Sequence, residues 1–302
     1  MENDLSLGAA WMNGTVIPIS QATIPVNDWG LVHSDITYDV VPVIDGAFFR
    51  FDEYLARFLS SMEDLHLDPG MSKRDIQEAL HQMVSKSSLR YSYVAMVCSR
   101  GKPKIAGSRD PRDCENHFFA WCVPYVHIIK PEIVEQGATA WIAQNAYRIP
   151  ENSVNPRVKN YHWGDFTQGI FEAKDKNYET VILLDYDGNV TEGPGFNVFA
   201  VKDKVLITPD RGVLAGVSRK TVLEMAEHLG INTSVRSLSV EELLEADEVF
   251  LSSSGGGVIP IIRVNETIFG NGASGPISVQ LNETYWKWTT LEKYRDPIDY
   301  TL

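Results

Sequence analysis

The sequence predicts an α+β protein of two domains. Predicted strands and helices are mixed along its 302 residues without the regular strand–helix–strand alternation of a parallel α/β fold. The length allows one or two domains, and Pro131 and Gly137 interrupt the pattern near the middle of the chain. We therefore predict a domain at 1–126, a linker at 127–137 and a domain at 138–302.

Two hairpin turns are predicted in the first domain. Asn13-Gly14 and Asp45-Gly46 each stand between short apolar runs, and such pairs are the usual centre of a two-residue hairpin. Further strands are expected at 91–98 and 116–126. The stretch between them, 99–115, is polar, basic and rich in glycine and proline. It predicts a long loop, and loops of this length are often functional.

Helices complete the predicted domains. Apolar residues recur at helical spacing over 52–66, with Asp52 as the expected N-cap, and a second helix opens at Ser72. In the second domain we predict strands at 138–143, 180–184, 196–201, 205–208 and 249–251, and helices at 218–229, 240–246 and 276–292.

Composition argues against several classes of protein. The formal net charge of −13 disfavours nucleic acid as a partner, because that affinity comes largely from basic contacts with phosphate. No apolar segment is long enough to span a bilayer, and the acidic start lacks the basic region of a secretory signal. Cys98, Cys114 and Cys122 show no metal-ligand spacing, and their odd number is typical of a reducing compartment. We expect a cytoplasmic protein with no metal site.

Two segments carry candidate chemistry. Lys159 lies in Arg157-Val158-Lys159-Asn160, a short polar break before a helical run. Glu192 lies in a glycine-rich turn before an apolar strand. A pyridoxal phosphate enzyme needs a lysine amine that forms a Schiff base and a carboxylate that keeps the pyridine nitrogen protonated. Taken singly, each residue could equally be an ordinary surface charge.

A third group of residues suits a bound phosphate. Gly216 and Ser218 stand at the start of a predicted helix, where backbone N–H groups and the helix dipole favour an anion. Arg57 offers a guanidinium fork. The candidate phosphate ligands are Arg57, Gly216, Val217, Ser218, Ser253 and Ser254. A capped helix, a surface arginine and a linker are the ordinary alternatives.

In this order the segments resemble those of the fold-type IV pyridoxal phosphate aminotransferases. That family includes branched-chain aminotransferases, D-amino acid aminotransferases and aminodeoxychorismate lyases. Arg157–Asn160 resembles the Schiff-base lysine segment, Thr191–Asn197 the segment that pairs with the pyridinium nitrogen, and Thr208–Arg219 the phosphate loop. Asp52–Arg57 resembles the helix whose arginine binds phosphate.

The resemblance implies a fold and a cofactor. The expected fold is a small N-terminal α/β domain and a larger C-terminal domain built on a β-barrel-like sheet, assembled as a homodimer. The expected cofactor is pyridoxal 5′-phosphate. Lys159 would be the catalytic residue, and Glu192 would pair with the ring nitrogen.

Within this family the chain most resembles the (R)-selective amine transaminases, through His33–Val40 and Lys159–Asp165. The implied substrate-binding residues are His33, Tyr38, Tyr93, Ala95, Arg109, Trp163 and Gly255. Tyr93 and Ala95 occupy alternate positions of one strand and share a face. Related amine transaminases carry a mobile loop arginine that accepts the carboxylate of the keto acid. This chain departs from that pattern, because it has Ser108 at that position, with Arg109 beside it.

The implied reaction transfers an amino group from a primary amine, of (R) configuration, to a keto acid such as pyruvate in ping-pong order. A branched-chain or D-amino acid aminotransferase of the same fold is the alternative, followed by an aminodeoxychorismate lyase-like enzyme. A non-enzymatic protein that binds sugars or anions through structural glycine loops is the alternative from another class.

Overall fold

A computed structural model describes residues 4–301, so the first residues of the acidic start lie outside the described part. The helices are α1 (Trp29–Val32), α2 (Phe51–Asp64), α3 (Lys73–Ser87), α4 (Pro131–Gln136), α5 (Gly164–Asp175), α6 (Val217–His228), α7 (Val240–Leu244) and α8 (Pro276–Trp288). The strands are β1 (Ala9–Met12), β2 (Thr15–Pro18), β3 (Ile36–Ile44), β4 (Ala47–Phe49), β5 (Ser92–Pro103), β6 (Cys114–Pro124), β7 (Ala138–Tyr147), β8 (Thr180–Leu184), β9 (Glu192–Gly193), β10 (Phe196–Lys202), β11 (Val205–Thr208), β12 (Thr233–Val235), β13 (Glu248–Ser253), β14 (Gly257–Val264), β15 (Thr267–Ile268) and β16 (Arg295–Pro297).

The chain forms two compact units, which bear out the predicted α+β class. The first takes the described residues through Val126, together with Val158–Tyr161 and the residues from Leu291 onward. The second comprises His127–Arg157 and His162–Thr290. Three places differ from the predicted division at 127–137. The expected linker contains α4 and belongs to the second unit, whereas the segment around Lys159 and the C-terminal segment belong to the first.

The first unit is built on a seven-stranded antiparallel sheet of order β16-β4-β3-β5-β6-β1-β2. Both predicted hairpins are present in it. The turn between β3 and β4 has φ of 49° at Asp45 and 74° at Gly46, as a type I′ turn requires. Strand β3 is buried along its whole length because α2 packs against it.

The second unit is built on a nine-stranded mixed sheet, which corresponds to the expected larger sheet. Its main order is β12-β11-β10-β13-β14-β7-β8, with β9 paired to β10 and β15 to β14. Apolar residues of its central strands, among them Ile142, Val198, Leu251 and Ile259, form one buried core. Helix α5 packs on β7 and β8, and α8 packs on β13 and β14.

Three local predictions are wrong. The expected loop at 99–115 is shorter than predicted, since β5 runs to Pro103 and β6 begins at Cys114, which leaves 104–113 between them; the pairing of the two strands overrides the breakers at its ends. Helix α2 begins after a left-handed Arg50, not at Asp52. Helix α6 begins after Gly216, so Ser218 lies in its first turn and is not the N-cap.

Among residues 4–301, no helix is both long and apolar enough to cross a membrane.

Candidate functional site

Lys159 lies in the short segment Val158–Tyr161, which belongs to the first unit and pairs with β3 through Asn160 and Thr37. Its carbonyl accepts hydrogen bonds from Thr37 Oγ1 at 2.6 Å and from the Tyr38 N–H at 3.4 Å. Its own N–H donates to Ser61 Oγ at 3.3 Å. The backbone of this half-buried lysine is therefore fixed from both β3 and α2.

Aromatic rings surround the amine. The rings of Tyr38 and Tyr161 stack at 4.1 Å and 13°, and Lys159 Nζ lies 4.4 Å from the centroid of the Tyr38 ring. Burial raises the pKa of Tyr161 above its ordinary value, with the neighbouring tyrosines adding to the shift. Tyr161 therefore keeps its proton at neutral pH and presents a neutral phenol.

Tyr93 and Ala95 line the same face of the sheet. Ala95 is fully buried and pairs with Val40 on one side and with Trp121 on the other. Tyr93 stacks on Trp121 at 5.6 Å, and burial raises its pKa. Tyr38 and Ala95 belong to one buried cluster, and Tyr93 and Tyr161 pack against it. The structure thus brings three predicted substrate residues together with the lysine segment.

Two other predicted substrate residues lie outside this cluster. His33 is exposed at the end of α1, with its ring 4.6 Å from that of Trp29. Arg109 is exposed in the short connection between β5 and β6. Its neighbour Ser108 donates a hydrogen bond to the Asp113 carboxylate, so this connection is held by its own side chains.

Arg57 is a largely buried guanidinium with a carboxylate partner. Its Nε and Nη2 donate to the two oxygens of Asp39, each at 2.7 Å. The side chain of Asp39 is fully buried and that of Arg57 is 12% exposed. Burial alone would lower the pKa of Arg57, but the attraction of Asp39 outweighs it and raises that pKa.

In the second unit, Glu192 is a buried carboxylate that accepts hydrogen bonds from three residues. Its Oε2 accepts from the Leu214 N–H at 2.8 Å and from Asn197 Nδ2 at 3.3 Å. Its Oε1 accepts from Arg148 Nε at 3.2 Å. Asn197 lies directly opposite Glu192 in the pairing of β9 with β10. A buried carboxylate with this many donors is stabilised as an anion.

Arg148 joins Glu192 to a second carboxylate. Immediately after β7, its Nη1 donates to Asp165 Oδ2 at 2.7 Å, and its guanidinium lies 4.3 Å from the centroid of the Phe166 ring. Asp165 stands in the first turn of α5. One cation is thus shared by two acids.

The start of α6 has the features of an anion site. Gly216 is the N-cap, and within the described residues no side chain caps this helix, in contrast to α3, where Ser72 forms a capping box. A Cβ added at Gly216 would overlap Asn197 Oδ1, so a side chain does not fit there. The first-turn residues Val217 and Ser218 are buried. This donor set fits a phosphate group.

Two guanidiniums add positive charge near this helix. Arg219 donates to Thr208 Oγ1 at 3.3 Å and to the Pro209 carbonyl at 2.8 Å. Burial lowers the pKa of Arg219, and repulsion from Arg157 lowers it further. An anion bound here would relieve that repulsion.

The remaining predicted residues have structural partners. Ser253 Oγ donates to the Gly195 carbonyl at 2.8 Å and accepts from the Gly255 N–H at 3.1 Å, so it braces two turns. Ser254 is half-buried beside it. Trp163 is the N-cap of α5, and its ring meets that of Phe166 edge-on.

Three charged residues that contact predicted site residues were given no role from the sequence: Asp39, Arg148 and Asp165. Only Asp39 has a signal in the sequence, as the single charged residue within the mostly apolar run Ile36–Ile44. The side-chain partners of Arg148 are 17 and 44 residues away along the chain, and no local pattern indicates such a contact.

Comparisons with known proteins show which family the chain resembles. The family model described as Amino-transferase class IV matches residues 37–264. D-alanine aminotransferase of Bacillus licheniformis is 28% identical over 273 residues, which is 88% of this chain and 92% of that protein. Branched-chain-amino-acid aminotransferase of Escherichia coli K12 is 26% identical over 285 residues, 91% of each chain. The solved structure of branched-chain amino acid aminotransferase from Thermobaculum terrenum, in its PLP form, superimposes with a TM-score of 0.85 at 24% identity, covering 99% of this chain and 100% of that one.

Proposed function

Because the chain belongs to the class IV amino-transferase family and is therefore a pyridoxal phosphate-dependent aminotransferase, we propose that it moves an amino group from an (R)-configured primary amine to a keto acid such as pyruvate. The observation that carries the cofactor chemistry is Glu192, a buried anion held by a guanidinium and two N–H donors. The solved protein of the same fold from Thermobaculum terrenum holds that cofactor.

When bound, pyridoxal phosphate accepts an amino group from one substrate and passes it to the next. Lys159 would bond the cofactor through Nζ and, once displaced by the substrate amine, would carry the proton that leaves the substrate carbon. Glu192 would hold the proton at the ring nitrogen. The two halves of the reaction would then follow each other in ping-pong order.

The phosphate would be held by Arg57, by the backbone N–H groups of Val217 and Ser218 beside Gly216, and by Ser254. Ser253 would act by holding the turn in which Ser254 stands, since its hydroxyl already bridges two backbone groups. All these donors are N–H or O–H groups, which suits an anion.

The substrate would lie against the aromatic face of the first sheet. Tyr38 and Tyr93 would contact its apolar group, and the small Ala95 would leave room for it. The remaining substrate contacts that we propose are His33, Trp163, Gly255 and, for the keto-acid carboxylate, Arg109. The exposed Arg109 would have to move for that contact.

The second candidate is a D-amino acid or branched-chain amino acid aminotransferase. The observation that favours it is the similarity to enzymes named for those activities. The two candidates share cofactor, lysine and ring-nitrogen partner. They differ in whether the donor carries a carboxylate.

One experiment separates the candidates. The absorbance spectrum of the purified protein with pyridoxal phosphate is recorded before and after addition of (R)-1-phenylethylamine, D-alanine or L-leucine. We expect the long-wavelength band to disappear fastest with (R)-1-phenylethylamine, and pyruvate to restore it. A response to only one of the amino acids would establish the second candidate instead. A protein that stays colourless with the cofactor would contradict both.

A homodimer and a cytoplasmic location remain predictions. Light scattering coupled to size-exclusion chromatography measures the molar mass in solution and so tests the homodimer.

A further inference from the structure

We propose that Asp165 is a positioning residue that sets, through Arg148, the negative charge with which Glu192 holds a protonated ring nitrogen. The inference rests on the proposed function, because it assumes that Glu192 faces the nitrogen of the cofactor. It adds a residue whose role neither the sequence motifs nor the hydrogen bonds of Glu192 alone indicate.

The three side chains form a buried chain of charges. Arg148 lies between the two acids, 2.7 Å from Asp165 and 3.2 Å from Glu192. The Arg148 side chain is 8% exposed and each acid is 6% exposed. The Phe166 ring lies against the guanidinium at 4.3 Å, so the arginine is held in place by packing as well as by charge.

The charges of this group do not cancel. One guanidinium and two carboxylates leave a net charge of −1, and the shorter contact of Arg148 is with Asp165. Without the Asp165 charge, Arg148 would neutralise Glu192, and Glu192 would then attract a cationic ring nitrogen less strongly. Charges interact more strongly in a buried environment than in water. Asp165 thus keeps Glu192 available as an anion.

Another positive charge near Glu192 supports the same role for Asp165. Glu192 acts electrostatically on Arg219, which also feels Arg157 and Asp210. Arg219 is therefore a further guanidinium that competes for the Glu192 charge. Its presence increases the need for a second acid on Arg148.

Asp165 also has a structural task, which must be separated from its charge. Its Oδ2 accepts from the Ile149 N–H at 3.0 Å, and its Oδ1 accepts from the Phe166 N–H at 2.8 Å. An asparagine can keep an acceptor for a backbone N–H but carries no charge. Asp165→Asn therefore removes the charge and spares much of the structural role.

Glu172 provides a matched control on the same helix. Its carboxylate accepts from Trp141 Nε1 at 2.7 Å and from the N–H groups of Gln144 at 2.8 Å and Asn145 at 3.0 Å. It thus anchors backbone as Asp165 does, but no arginine is among these donors. Glu172→Gln should loosen local structure without changing the charge at Glu192.

The test uses the holoenzyme with pyridoxal phosphate labelled with ¹⁵N in the ring, and the ¹⁵N chemical shift is followed against pH. We expect a protonated nitrogen in wild type, Glu172→Gln and Asp165→Glu. In Asp165→Asn the ring nitrogen should titrate about one pH unit lower than in wild type. That shift corresponds to a tenfold weaker affinity of the nitrogen for its proton. If Asp165→Asn does not retain the cofactor, retention by Asp165→Glu and Glu172→Gln supports the same role.

Three other results would overturn the inference in distinguishable ways. If the nitrogen of Asp165→Asn titrates as in wild type, Asp165 only accepts backbone hydrogen bonds, and the proposed function stands without it. If the nitrogen is unprotonated in wild type, the roles given to Glu192 and Asp165 are both wrong. If the wild-type protein does not bind the cofactor, the proposed function itself fails.

Discussion

Arg57 meets Asp39 in a two-point ion pair, with both N–O distances at 2.7 Å. The pair joins the middle of α2 to the middle of β3. A guanidinium held in this way cannot rotate freely, so its other N–H groups point in a fixed direction. This fixed orientation is what a phosphate ligand needs.

Asp39→Asn should therefore weaken the contact that we propose between Arg57 and the phosphate. We expect the Kd for pyridoxal phosphate to rise about tenfold, whereas the Kd for pyridoxal, which lacks the phosphate, should not change. Loss of the buried pair should also reduce the free energy of unfolding by about 3 kcal/mol. Titration of the cofactor band and urea unfolding measure the two effects.

Asp35 supplies the control for that variant. It forms a similar two-point pair with Arg100, at 2.8 and 3.1 Å. Asp35→Asn should also lower stability, but the ratio of the two Kd values should stay as in wild type. A ratio that changes equally in both variants would show that the effect of Asp39 is general destabilisation.

Lys159→Ala should abolish both the long-wavelength absorbance of the cofactor and transamination. The reason is that no other amine replaces Nζ on this segment, while the backbone bonds of Lys159 to Thr37 and Ser61 do not need the side chain. Lys73→Ala is the control, because Lys73 forms a solvent-exposed ion pair with Asp52 on the surface. Persistence of colour and activity in Lys159→Ala would refute the assignment of the lysine.

Gly216→Ala should disturb both the start of α6 and the partner of Glu192. The new Cβ would overlap Asn197 Oδ1, and Asn197 donates to both Glu192 and the Leu214 carbonyl. We expect a loss of about 1–3 kcal/mol in unfolding free energy and a lower affinity for pyridoxal phosphate. Gly164→Ala, whose Cβ meets open space, is the control for stability. Equal unfolding midpoints for the two variants would contradict the clash.

Asp28 gives a prediction for pH. It accepts hydrogen bonds from His117 Nε2 at 2.7 Å, from the Gly30 N–H at 2.8 Å and from Ser99. Burial would raise the pKa of Asp28, but these donors together lower it below the ordinary 3.8. Because the folded pKa is the lower one, the stabilisation is present above the ordinary value and is lost as pH falls through the folded value.

Asp28→Asn should therefore cost about 2 kcal/mol of unfolding free energy near neutral pH. The difference from wild type should shrink as pH falls below about 4. Urea unfolding of both proteins over a series of pH values measures it. A difference that stays constant into acid would mean that the Asp28 charge does not contribute.

Ala95→Leu should narrow the space next to Tyr93 and Trp121. Since Ala95 is fully buried, the larger side chain can only extend into the face that carries Tyr38. We expect KM for (R)-1-phenylethylamine to rise about tenfold, with little change for a small donor such as isopropylamine. Equal increases in KM for both donors would show that the aromatic group of the substrate does not lie next to Ala95.

Features with local causes could be predicted from the sequence. The hairpin at Asn13-Gly14 follows from its turn residues, and the start of α3 at Ser72 follows from its capping chemistry. The quoted motifs were sufficient to indicate the family to which the chain belongs. Helix α2 is a partial success: its span was expected, but its N-cap is the left-handed Arg50, which no propensity favours.

Features with distant causes could not be predicted. The strands β5 and β6 continue into the expected loop because each pairs with the other. Arg148 is held by hydrogen bonds to Glu192 on β9 and to Asp165 on α5. Asp39 is held by a hydrogen bond from Arg57 on α2. In each case the partner lies many residues away, and sequence periodicity carries no information about it.

The segment Val158–Tyr161 belongs to the first unit, although the residues on either side of it belong to the second. A fragment cut at the predicted linker would therefore keep Lys159 but lose Thr37, Tyr38 and Ser61, which hold that segment. The same fragment would keep the three donors described for Glu192. Exchange of a whole domain at that linker would separate the amine from its native support in the same way.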